Sequence, residues 1–135
     1  PYIYALFENK RHLFLSCHDV LNDHIRETFR EAARPEDSPY ERLRKMGLAY
    51  LGLLHDDDRA RCHLQVFAAA GMPGLKDPIR DGFNQLFEDI VEISGGTRPE
   101  VARFFATGVL LNAMTALDEP FEMVRYLEVT PEAEL

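Results

Sequence analysis

Apolar residues recur along this chain every three or four positions, the spacing of helices with one buried face. From about residue 9 to Arg34, the positions Phe14, Cys17, Leu21, Ile25, Thr28/Phe29 and Ala32 mark such a face, with Asp19, Asp23, Arg26, Glu27 and Arg30 opposite it. Residues 1–7 read as a separate short apolar and aromatic piece, broken at Glu8-Asn9, with Asn9 as the cap of the helix that follows. Arg34-Pro35 closes that helix, because the residue before a proline resists helical geometry.

Four more helices announce themselves by their starts. Ser38-Pro39-Tyr40-Glu41 combines an N-cap, a proline at the first helical position and a capping box. Leu43, Met46/Gly47, Tyr50 and Leu54 then give a buried stripe ending near His55. Asp56-Asp57-Asp58 suits the positive end of a third helix, with Ala60, Leu64, Phe67 and Ala68 inward, stopped by Gly71-Met72-Pro73-Gly74. Asp77-Pro78 caps a fourth, whose buried side is Ile79, Phe83, Leu86/Phe87, Ile90 and Ile93 and whose end is Gly95-Gly96. Thr97-Arg98-Pro99-Glu100 is a second capping box. Glu119-Pro120 sets off a last short helix, Phe121 to about Glu128, before an acidic tail. The fold class is therefore all-α, with five full helices and two short ones.

The fifth helix stands apart. From Phe104 to Leu117 it holds fourteen residues without a charge. That is too short for a bilayer span, so it predicts a helix covered on several sides. Phe104, Phe105, Leu111 and Met114 suit the chain's own core. Gly108, Asn112, Thr115 and Ala116 form a row of smaller side chains that lets another helix approach, with a second subunit as the candidate.

Composition narrows the classes. The 135 residues, 46% hydrophobic and 28% charged, fit one globular domain. There is no apolar run long enough to cross a membrane and no export signal, and Cys17 and Cys62 are too few for a disulfide scaffold, so a cytoplasmic setting is expected. A net charge of −8 argues against sequence-blind nucleic-acid binding by this segment as a whole. The charge is uneven: residues 1–30 are neutral, whereas residues 118–135 carry −5. The opening Pro1, in place of Met, reads as the start of a fragment.

Catalytic and metal motifs are not found. His12, His18, His24, His55 and His63 form no His-Glu-x-x-His pair, and no Glu precedes a His by three. The aspartates after His55 are explained by helix capping. Cys17 cannot face His18 on a helix and sits on the apolar stripe, so a small core residue is the expectation. No phosphate-cradling glycine loop or nucleophile elbow occurs, so no cofactor, metal or enzyme activity is expected.

The opening segment PYIYALFENKRHLFL carries Tyr4, Phe7, Lys10, Leu13 and Phe14 at the spacing Tyr-x-x-Phe-x-x-Lys-x-x-Leu-Phe. This resembles the junction between recognition helix and connecting helix in the tetracycline-repressor (TetR) family of transcriptional regulators. ERLRKMGLAYLGLL, LQVFAAAG, DPIRDGF and VARFFATGVLLNAMTALD look like regulatory-domain helices of that family, in order. The resemblance implies a homodimeric, ligand-responsive DNA-binding regulator, usually a repressor. Residues 1–9 would be the remnant of the helix-turn-helix and residues 10–135 the effector-binding and dimerisation domain. It assigns phosphate contacts to Tyr2, Tyr4 and Lys10, although Ala5 and Leu6 stand where relatives often carry base-reading residues. It implies a pocket for a small apolar or amphipathic effector, lined by Tyr50, His63, Phe67, Phe83, Phe87, Asn112 and Met114. It also implies a dimer built from helices 77–94 and 98–117, with Phe105, Gly108, Asn112, Thr115 and Ala116 at the seam. Two other classes compete: a helical adaptor or dimerisation module without ligand, and a small helical enzyme. A connected internal pocket favours the regulator over the adaptor; a cluster of convergent polar groups in that pocket revives the enzyme.

Overall fold

The computed structural model describes residues 2–55 and 57–119, apart from the side chains of Tyr4, Phe7 and Asp57. It contains five helices: α1 (Tyr2–Ala32), α2 (Pro39–Leu53), α3 (Asp57–Ala69), α4 (Lys76–Ser94) and α5 (Arg98–Ala116). Among the described residues there is no strand, and no helix is long and apolar enough to cross a membrane. The expected short helix at 121–128 and the acidic tail lie outside the described residues.

The break expected at Glu8-Asn9 is absent: α1 runs unbroken from Tyr2 for 31 residues, across the expected division at residues 9/10. Neither residue is a strong breaker, and no glycine or proline interrupts the run. The helix stops at Ala32, two residues before Arg34-Pro35. Arg42 then fastens the turn to α2, donating from Nε to the Arg34 carbonyl (2.9 Å) and from Nη2 to that of Pro35 (2.6 Å). The two caps differ. Thr97 and Glu100 exchange both bonds of a capping box, whereas Ser38 shows the forward half, accepting from the Glu41 N–H at 3.2 Å.

Asp77 is not the cap of α4. That helix starts at Lys76, with Leu75 at the N-cap and no side-chain bond there, while Asp77 pairs with Arg80 at 2.8 Å. Its other end follows the sequence: Gly95 adopts φ +68° as the left-handed cap, a conformation that costs any other residue strain.

α1 packs on α2 and α4, and α5 packs on α2, α3 and α4. The helices α2 and α5 run parallel, because their facing positions rise together: Leu43 meets Gly96, Gly47 meets Phe104, and Tyr50 meets Gly108. Ile25, Phe29, Met46, Tyr50, Leu54, Ala60, Leu86, Ile90, Val101 and Leu111 form the main core. A smaller cluster of Val66, Leu75 and Ile79, with Phe14 and Leu15 against it, joins α1, α3 and the start of α4. Arg26 of α1 is bonded to Asp89 of α4 and, at 2.9 Å, to Asp23 on its own helix.

The buried face of α1 differs from the apolar reading. Ile25 and Phe29 are buried as expected, but Cys17 is exposed, and the seam continues through His18 and Asn22. The reason lies on α4. A Cβ on Gly82 would stand 2.9 Å from His18 Nε2 and 3.4 Å from Asn22 Nδ2, so a bare backbone receives these two polar side chains. His18 Nε2 and Asn22 Nδ2 lie 3.3 Å apart and hydrogen-bond.

Candidate functional site: an internal chamber

All five helices contribute to a cavity of about 830 Å³, partly open to solvent. Its size lies within the ordinary range for small-molecule sites, roughly 300–1,000 Å³. One wall is aromatic. Phe67, Phe83 and Phe105 stack edge to face in sequence, with ring centroids 5.9 and 4.7 Å apart. Phe29 and Phe104 meet similarly at 5.5 Å on another side. Phe67 is 44% accessible although it lines the cavity, because the cavity is partly open to solvent.

Of the residues assigned to the pocket, Tyr50, His63, Phe67, Phe83 and Asn112 line it. Phe87 and Met114 do not. Phe87 stands behind the wall, its ring 6.0 Å from Phe105 and capped by the Arg98 guanidinium at 5.0 Å. Met114 is buried away from the chamber, since it projects from a different side of α5 than Asn112.

The polar groups of the chamber form two small sets. The Tyr50 hydroxyl donates to Asn112 Oδ1 at 2.7 Å, joining α2 to α5 inside the protein, and burial pushes the Tyr50 phenol up to about 12. The His63 ring lies 6.5 Å from that of Tyr50. The second set is the His18–Asn22 pair. Burial drives both His18 and His63 below their ordinary value of 6.5, with the nearby cations Arg26 and Arg59, respectively, adding in the same direction. Asp19 opposes this at His18. Both rings are therefore neutral near pH 7. Among the described residues, no serine, cysteine or aspartate lines the chamber. Cys17 and Cys62 are both exposed, and among the described residues no group of three or more His, Cys, Asp or Glu could hold a metal ion.

The row of small residues on α5 points inward as much as outward. Gly108 lies against Tyr50, where a Cβ would meet Cε1 at 3.8 Å, and Asn112 is buried in the chamber wall. Phe105 belongs to the aromatic wall. Thr115 and Ala116 are half-buried, and the Thr115 hydroxyl is buried without a hydrogen-bond partner among the described residues. The outward stripe of α5 is instead Ala102, Ala106, Leu110 and Ala113, at steps of four, four and three, continued by the C-cap residue Leu117. The outward side of α4 is polar, with Asp81, Gln85, Glu88 and Glu92 exposed.

At the other end of the molecule, Tyr2 and Lys10 are exposed on α1. Tyr4 lies on the same helix, and its side chain is outside the described residues.

Sequence reasoning missed His18, Asn22, Phe29, Phe104, Arg44 and Arg103 as lining residues. One signal for the first two was present: Gly82 sits inside a strong helical pattern, where glycine costs about 1 kcal/mol and so marks a close approach. No protein-family model, curated protein or solved structure matches the chain.

Proposed function

We propose that this chain is the effector-binding and dimerisation domain of a ligand-responsive transcriptional regulator of the TetR type, most simply a repressor. The observation that carries the reading is the chamber: five helices enclose about 830 Å³ lined by aromatic rings and a few neutral hydrogen-bonding groups. A module that only holds two proteins together gains nothing from such a void, because each unfilled space forfeits packing contacts.

In this reading, α1 links chamber to DNA. Its inner half carries Ile25 and Phe29 on the chamber wall, and its outer end carries Tyr2, Tyr4 and Lys10 as phosphate-contacting residues. A ligand that shifts the wall tilts the helix and changes the separation of two reading heads on half-sites about one DNA turn apart. The second copy packs on the apolar stripe of α5. Leu110→Lys should then convert a dimer to a monomer in light scattering.

The deciding experiment uses the full-length protein in a genomic DNA selection. Enrichment of a two-fold symmetric sequence, released when the chamber is filled, is the expected result. Random recovery of fragments would overturn the proposal.

A further inference from the structure

Within that reading, the chemistry at the mouth of the chamber narrows the ligand. The exposed lining residues of α2 and α5 include Tyr40, Arg44, Leu48, Glu100 and Arg103. Because the two helices run parallel, with Gly47 beside Phe104, Arg44 and Arg103 flank one crevice about a turn apart. Neither guanidinium takes part in an ion pair or side-chain hydrogen bond among the described residues, whereas Arg26, Lys45, Arg80 and Arg98 are all paired. The one acid among these residues, Glu100, holds its Oε2 on the Thr97 N–H at 2.7 Å in the cap of α5, and its single charge leaves the two cations in excess. The mouth thus offers two free forks for a planar anion.

The interior offers the opposite. Its hydrogen-bonding groups are neutral, and Asn112 uses its Oδ1 to accept from Tyr50, so its amide N–H groups are not part of that bond. Aromatic edges and faces make up the rest. A charge placed deep in this chamber would lose its hydration without a counter-ion; an anion at the mouth keeps water and meets a net positive rim, two arginines against Glu100.

We propose that the chamber takes an aromatic carboxylic acid, its ring body against Phe67, Phe83 and Phe104, its carboxylate between Arg44 and Arg103 at the α2–α5 mouth. A ring-borne oxygen acceptor would meet Asn112 Nδ2. The proposal rests on the chamber being a ligand site, and the test separates the two.

Two fluorescent probes share a ring body and differ in charge: anilinonaphthalene sulfonate is an anion, and phenylnaphthylamine is neutral. Binding of each to the chain is titrated alongside the double variant R44Q/R103Q, whose sites are exposed and leave the core intact. The expected result is that both probes bind, that the anion binds roughly tenfold more tightly at low salt, and that the double variant removes this preference without changing the neutral probe. Naphthoic acid should displace the anionic probe, and its amide should not. Equal binding of the two probes, or an anion preference that survives in R44Q/R103Q, overturns the carboxylate assignment and leaves the chamber reading standing. Binding of neither probe overturns both.

Discussion

The helices α4 and α5 are each nineteen residues long and lie side by side, yet the chain solves a different problem with each. The helix α4 has one apolar stripe, Ile79, Leu86 and Ile90, and a polar face in water. The helix α5 is apolar almost all round and presents three faces: Val101, Leu111 and Met114 to the core, Phe104, Phe105 and Asn112 to the chamber, and an alanine-rich stripe outward. An amphipathic helix names its own buried face. A uniformly apolar one leaves unspecified what each face meets; here one face borders a partly open chamber.

The largest expected effect should come from the stripe of α4. Ile90→Ala deletes a fully buried side chain and should lower unfolding free energy by about 2–5 kcal/mol in a denaturant titration. Val109→Ala on α5, a half-buried site at the chamber, should cost less; equal costs would erase the contrast between the helices. Next is Gly82→Ala on α4. Helix propensity favours alanine, but its Cβ at 2.9 Å from His18 Nε2 should displace the polar pair and destabilise by about 1–3 kcal/mol. Stabilisation by this change would show that the seam yields freely.

Tyr50→Phe probes the bond between α2 and α5. It leaves Asn112 Oδ1 without its donor in a buried wall and should cost about 1 kcal/mol. Gly108→Ala should act in the other direction. A Cβ there meets Tyr50 at an ordinary 3.8 Å, so the gain in helix propensity, up to about 1 kcal/mol, should appear as a higher Tm.

The smallest effect is with acid. Folded His18 and His63 bind protons less readily than in the unfolded chain, so their contribution to stability is complete above pH 6.5 and declines as pH falls below it toward their folded values. Asp89 belongs to a lower window. Burial raises it, but Arg26 and Gln85, with the charge of Arg30, outweigh burial and hold it below the usual carboxylate range. Thermal melts from pH 7.5 to about 5 should therefore drift downward, and H18Q/H63Q should flatten the drift. An unchanged slope in that variant would assign the drift to other groups.

Much of the fold was legible because its signals are local. Ser38, Thr97 with Glu100, and Gly95 act within one helical turn, and each stands where the sequence put it. The misjudged starts have local causes too: Glu8-Asn9 offers a cap that an uninterrupted helix does not need, and Asp77 finds Arg80 one turn on. The candidate site was legible only in part. Five of its seven expected residues line the chamber, because a large ring on the inner side of a helix must border either core or cavity. His18 and Asn22 escaped, since periodicity counts apolar residues and these are polar residues held inside by a gap on another helix. Arg44 and Arg103 escaped because charge on a helix surface ordinarily means solvent.

The sequence by itself determined the all-α class, the order of five helices and the uncharged stretch in α5, all of which follow from spacing and capping along one chain. Only the tertiary structure decided that Gly108 and Asn112 face Tyr50 inside the protein, that Gly82 receives His18, and that Arg44 and Arg103 share a mouth. The reason is physical: a helix's apolar pattern states what must leave water, whereas a void and its rim depend on how neighbouring helices fail to fill the space between them.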